Sequence, residues 1–200
     1  MAQCQTLYSP DGIRAKTTAV IIGLLWSTGL RPSEPIKLLS SDVNLDYGVL
    51  HIRGTKYSKE RYIPLDISVI QKLGDYKLWI EEQIGIRSPD DAFFYTTCGK
   101  PLTERSLAYA FKIIRPCINA QPTGYPFVRL YDFRHTMACN TIHRWTKQGI
   151  DVNSSLHILS TYMGHVKPQD TYWYLSATPG MLELSCSNFE DMFGGNNIEN

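Results

Sequence analysis

Two hundred residues with 43% hydrophobic and 12% aromatic side chains can bury a substantial core, so disorder is not the default and the length suits one compact domain, or one and a small appendage. The longest apolar run, Ala19 to Trp26, is too short to span a bilayer, and five scattered cysteines (Cys4, Cys98, Cys117, Cys139, Cys186) without C-x-x-C argue against a disulfide framework or zinc site and point to a reducing cytosol. The net charge of +1 is unevenly spread: Glu183, Glu190, Asp191 and Glu199 follow Leu182 with no Lys or Arg, which leaves 20 basic against 15 acidic residues in 1–181, a body of +5 compatible with nucleic acid.

In chain order, Lys16 to Thr28 reads as a buried helix stopping at Gly29, and Pro32 and Ser33 open a short helix through Leu39 with Glu34 in its first turn. "GVLHIRGTKYSKERYIPL" is two β-type runs around a polar turn, a hairpin with its tip at Thr55 to Glu60. Asp66 caps a long helix ended by Gly85, "DAFFYT" is a third short strand, and Thr103 caps a helix to about Asn119. The loop Gln121 to Pro126 leads into a helix from Tyr131 to Lys147, closed by Gly149. From Val152 on the chain reads as helices broken near Gly164–Pro168 and at Pro179. The expected fold is mixed α/β, predominantly helical, with a small three-stranded antiparallel sheet and no internal repeat or linker.

Four places carry side chains suited to chemistry. "STGLRPSE" puts Arg31 at a Gly-broken helix junction, and "GTKYSKER" with the preceding Arg53 gathers Arg53, Lys56, Lys59 and Arg61. "LYDFRHT" places Arg134 and His135 early in a helix, and "STYMGHVKPQDTYWYL" supplies His165 with Tyr162, Tyr172 and Tyr174. Each has an ordinary reading. Arg31 can simply pair with Glu34, hairpin-tip cations are usually solvated, His165 suits a helix terminus, and clustered tyrosines are more often core than catalyst. Taken singly, none of them selects a function.

Order and spacing together do. An Arg in T-G-L-R-x-x-E, a hairpin Lys three residues before K-E-R, an Arg before H-T, and a Gly-His followed nine residues later by Tyr resemble the catalytic domain of the tyrosine recombinases, or phage-type integrases. The resemblance covers about Thr18 to Leu184. It implies Arg31 and Arg134 as phosphate ligands, Lys56 as general acid, His165 as a further donor and Tyr174 as nucleophile; Tyr162 and Tyr172 do not fit the spacing and revert to core. His135 belongs to the R-H-T part of the motif and is read as structural. The position three residues before the second Arg, usually histidine, holds Tyr131, whose phenol can donate a hydrogen bond to a phosphate but accepts a proton poorly near neutrality.

The implied reaction is site-specific strand exchange on double-stranded DNA. A tyrosine displaces the 5′-hydroxyl and leaves a 3′-phosphotyrosyl link that conserves the bond for later ligation. Guanidinium groups stabilise the charge that gathers on the five-coordinate phosphorus, so neither cofactor nor metal is implied. Arg53, Lys59 and Arg61 suit a groove and its phosphates. The tail from residue 182 to 200 carries apolar positions (Leu182, Leu184, Phe189, Met192, Phe193) that either pack on their own domain or, as the resemblance implies, dock on a neighbouring protomer in a homo-tetramer on DNA. Residues 1–200 are expected to be one catalytic domain with its core at about 16–181, lacking the family's usual N-terminal DNA-clamping domain, in a bacterial or phage-type cytoplasmic, nucleoid-associated protein. A non-catalytic DNA-binding or regulatory fragment of a recombinase, and DNA relaxation like a type IB topoisomerase, are the alternatives.

Overall fold

Helix ends fall where the sequence supplies caps, in a computed structural model that describes residues 2–54, 60–117, 128–165, 167 and 169–176. A 3-10 turn (Ala2–Thr6) precedes α1 (Ile13–Thr28), which starts earlier than expected and ends at Gly29. Gly29 takes φ 62°, a left-handed value open to glycine, and its N–H closes on the Leu25 carbonyl. The short helix α2 runs over Ser33–Ile36 and stops before Leu39. The amide of Lys37 closes on Glu34 and Pro35, and Leu39 turns into an isolated antiparallel bridge with Ala92.

Three antiparallel strands follow, β1 (Val43–Asn44), β2 (Val49–Ile52) and β3 (Arg61–Pro64), in the order β1-β2-β3. Leu50 pairs with Ile63 and Ile52 with Arg61, so the period-2 alternation turns Leu50, Ile52 and Ile63 into the core and leaves Tyr62 in solvent. The expected third strand, "DAFFYT", is not in this sheet; Val43–Asn44 holds that place. Phe93 and Phe94 are both buried, so the segment does not alternate. Its pairing is divided between Leu38, whose carbonyl accepts from Phe93 N, and β5 (Lys100–Pro101), which pairs with β4 (Tyr95–Thr96) in a second small sheet.

Between the sheets lies α3 (Ile67–Ile84), capped by the Asp66 carboxylate at Ser68 N and closed at Gly85. It packs on α1, and Thr17 and Tyr76 share a hydrogen bond of 2.9 Å. The Tyr76 hydroxyl also accepts from Tyr95 N, and burial pushes its phenol up to about 12. Thr103 caps α4 (Glu104–Ile114), whose Leu107, Ala110, Phe111 and Ile114 form one buried stripe at helical spacing. That stripe meets Cys4 and Leu7, with Phe133 packed beside them.

The remaining elements are α5 (Leu130–Lys147), α6 (Val152–Met163) and α7 (Gln169–Ser176). The chain divides into two compact units, Met1–Arg134 and His135–Asn200, the division falling within α5. The second unit has its own core of Ala138, Ile142, Val152, Leu156, Leu159, Met163 and Tyr174. Asp151 caps α6 at Asn153 N, and Gly164 at φ 65° ends it. No described helix is long and apolar enough to cross a membrane.

Candidate active site

In the first unit the α1 terminus builds a turn around Arg31. Because Gly29 leaves the helix, its carbonyl has no partner further along α1, and the Arg134 guanidinium takes it: Nη1 donates to Gly29 O at 2.8 Å. Arg134 is 3% exposed. The second motif arginine is thereby fixed two residues from the first, although 103 positions separate them in the chain.

Arg31 itself is held by Glu34. The carboxylate accepts from Arg31 N at 2.8 Å and from its Nη1 at 3.0 Å, while Glu34 N closes on the Arg31 carbonyl. The same carboxylate takes both terminal nitrogens of Arg61, at 2.9 and 2.8 Å. Glu34 is 7% exposed and Arg61 11%. Burial alone would push the Glu34 carboxyl up; the hydrogen bonds and charges of Arg61, then those of Arg31, outweigh it and hold the group below its usual range. The expected pairing of Arg31 with Glu34 is present, and Arg61 reaches the same carboxylate rather than pointing away from the hairpin.

Strand alternation explains the difference. Arg61 shares the inward face of β3 with Ile63, so its side chain crosses to Glu34, whereas Tyr62 stacks outside on His51 at 4.6 Å. Arg53 is 47% exposed and its Nε lies 2.6 Å from Asp42. It also donates to His51 Nδ1, and His51 Nε2 meets Glu60 at 2.9 Å. Lys56 and Lys59 lie outside the described residues. Tyr131 is exposed at the start of α5 and lines a shallow cavity with Pro32, Ser33, Ile36, Leu107 and Arg129, next to the Arg31 turn.

In the second unit His165 and Tyr174 come together. Gly164 and His165 close α6 through Gly164 N to the Thr161 carbonyl and His165 N to that of Ser160, which fixes the histidine backbone at the helix end. Its Nδ1 lies 2.7 Å from the hydroxyl of buried Thr171. With Thr171 as donor, Nε2 carries the proton of the neutral ring, the tautomer a phosphate donor needs. The His165 and Tyr174 rings lie parallel, 6.3 Å apart at 10°.

Tyr174 is buried, 3% exposed, with its ring in the core of the unit. Its hydroxyl lies 3.2 Å from His135 Nδ1. Tyr172, expected as core, is half exposed, as is Trp173. Reading the sequence assigned His135 a structural place and did not name Thr171 at all. The six-residue step from His165 to Thr171 crosses a helix break and follows no helical period.

Compared with known proteins, the family model described as "Phage integrase family" matches residues 1–180. The putative integrase/recombinase y4rB of Sinorhizobium fredii is 33% identical over 184 residues, covering 92% of this chain and 59% of the relative. Tyrosine recombinase XerD of Staphylococcus haemolyticus is 29% identical over 190 residues, with the same coverages. Among solved structures, the XerH site-specific recombinase bound to palindromic difH substrate matches with TM-score 0.67 at 19% identity, over 94% of this chain and 50% of that one. The chain thus spans about three fifths of the length of these curated relatives, and the likeness to the solved structure is one of fold.

Proposed function

The chain belongs to the phage integrase family, and from that premise we propose that it is the catalytic domain of a site-specific DNA recombinase, cutting and rejoining DNA through a 3′-phosphotyrosyl intermediate. Its substrate and partner is double-stranded DNA, on which the protein acts as a homo-tetramer in the bacterial cytoplasm. Residues 1–200 act as one catalytic domain. Tyr174 is the nucleophile. Arg31 and Arg134 stabilise the charge that develops on the phosphate oxygens, and fixed guanidinium forks suit that task because they stay charged and donate in pairs. His165 and Tyr131 donate further hydrogen bonds, and Lys56 protonates the departing 5′-oxygen. With the arginines in this role the cleavage step needs no metal.

The observation that carries the reading is the bond from Arg134 to the Gly29 carbonyl, which gathers two guanidinium groups from distant parts of the chain at one turn. Arg53 and Lys59 are the hairpin cations for the DNA backbone. Arg61, bound at both nitrogens by Glu34, serves the site by holding Glu34 and through it Arg31.

The test is covalent capture. Nicked suicide DNA carrying the flanking genomic sequence should yield an SDS-resistant adduct with the parent and with Tyr172→Phe, and none with Tyr174→Phe. Adduct retained by Tyr174→Phe and lost by Tyr172→Phe would overturn the assignment.

A further inference from the structure

A phenol that attacks phosphorus has to give up its proton, and the hydroxyl of Tyr174 already has an imidazole nitrogen beside it. His135 Nδ1 stands 3.2 Å from Tyr174 Oη, a separation across which a proton passes directly. The rings lie 5.6 Å apart at 49°, and Trp173 closes on the imidazole at 5.5 Å. Around them are the apolar side chains of the second core, Ala138, Ile142 and Met163 among them. Tyr131, four residues earlier on α5, cannot fill this role, since a phenol is a poor base near neutral pH.

We propose that His135 is the general base of the cleavage step, taking the phenolic proton from Tyr174 as its oxygen attacks; this rests on Tyr174 being the nucleophile. The Tyr174 O–H bond breaks and an N–H bond forms at His135 Nδ1. The freed electron pair on the oxygen makes the bond to phosphorus, the P–O5′ bond breaks with its pair on the 5′-oxygen, and that oxygen takes a proton from Lys56. In religation the proton returns from Nδ1 to the tyrosyl oxygen.

Among the described residues of its unit, the titratable groups near this imidazole include Tyr174 on α7, His165 stacked parallel to the Tyr174 ring, and Cys139 one turn on along α5. Protonation of His135 removes the acceptor, so cleavage should fall as the pH drops through the imidazole range.

The experiment measures single-turnover adduct formation on the nicked suicide DNA from about pH 5 to about pH 8. His135→Asn is the informative variant: its amide oxygen can occupy the place of Nδ1 and accept a hydrogen bond, but it does not take a proton. It should cleave at least about 100-fold more slowly and lose the acidic limb of the profile. His135→Ala should be slow as well, and added imidazole should raise its rate. An acidic limb unchanged in His135→Asn, or a rate equal to the parent, would show that the contact only positions Tyr174 and would overturn the proposal. Folding of the variants is followed by circular dichroism, and the tautomer by ¹⁵N shifts of the parent histidines, which should report an unprotonated Nδ1 at His135 that responds to Tyr174→Phe; a proton on Nδ1 overturns the proposal too. If the parent forms no adduct, or Tyr174→Phe keeps it, the nucleophile assignment itself falls and this proposal with it.

Discussion

Arg134 and Gly29 are joined by a hydrogen bond that spans 105 positions, from the guanidinium of a helix residue to the carbonyl of a helix-ending glycine. The glycine supplies the left-handed turn that frees the carbonyl, and the arginine ties that turn in place. One nitrogen of the fork is spent on structure, and the guanidinium sits on a buried stem.

Arg134→Lys should therefore fail on the count of geometry. A single ammonium cannot both hold Gly29 and fork onto a phosphate. Cleavage of suicide DNA should slow by at least about 100-fold, the scale of losing one preorganised donor. Arg134→Ala should add a stability loss of about 1–3 kcal/mol, because the buried Gly29 carbonyl is left without this partner. EDTA should leave the parent rate unchanged; a rate that depends on added metal would contradict an arginine-based clamp.

Glu34 sets an acid limit on stability. Its carboxyl is held below the ordinary 4.5 in the folded protein, so the ionised form is favoured by folding. That contribution is complete above about pH 4.5 and disappears as the pH falls through the lowered folded value. Urea denaturation below pH 4.5 should show the loss in the parent and a flatter profile in Glu34→Gln. Glu34→Ala removes the carboxylate that Arg31 and Arg61 share and should cost about 3–5 kcal/mol near neutral pH.

Lys56 can be tested by changing the leaving group. If it protonates the 5′-oxygen, Lys56→Ala should be severely slow on ordinary DNA and restored on DNA with a bridging 5′-thiol, whose sulfur departs unaided. Equal defects on both substrates would reduce Lys56 to a binding residue.

Tyr131 lines the cavity shared with Pro32 and Ser33, and in the proposed mechanism its hydroxyl donates to the phosphate that Arg31 binds. Tyr131→His should cleave at least as fast as the parent, with the gain largest near neutral pH. Tyr131→Phe should be slower because only the donor is removed. Equal rates for Tyr131→Phe and the parent would leave the residue a packing role alone.

Features that depend on near neighbours were legible in the sequence. Gly29, Asp66, Gly85 and Thr103 end or start helices where expected, since each acts on backbone groups a few residues away. The hairpin was legible for the same reason. The two-residue strand Val43–Asn44 was not, because so short a segment shows no alternation and depends on β2 as its neighbour. "DAFFYT" misled because two adjacent buried phenylalanines resemble a buried strand. Motif spacing proposed Arg31 and Arg134, which meet at one turn in the first unit, and His165 and Tyr174, which stack in the second. The partners that hold them did not follow from spacing. Arg61 reaches Glu34 across 27 positions, and His135 reaches Tyr174 across 39. The inward alternation of Arg61 with Ile63 was available as a signal for the first of these.

The ring of Tyr174 belongs to the core formed with Leu156, Leu159 and Met163, so the proposed nucleophile is also a packing element of its unit. Under the proposed cleavage a ring only 3% exposed must be uncovered for its hydroxyl to meet a phosphate, and vacating a ring-sized space in a core costs about 3–5 kcal/mol when nothing refills it. The firmness of this packing then sets how often the active arrangement is visited. Substitutions that tighten the cluster should raise the melting temperature and lower the turnover, and a screen of this chain for heat resistance would enrich slow enzymes.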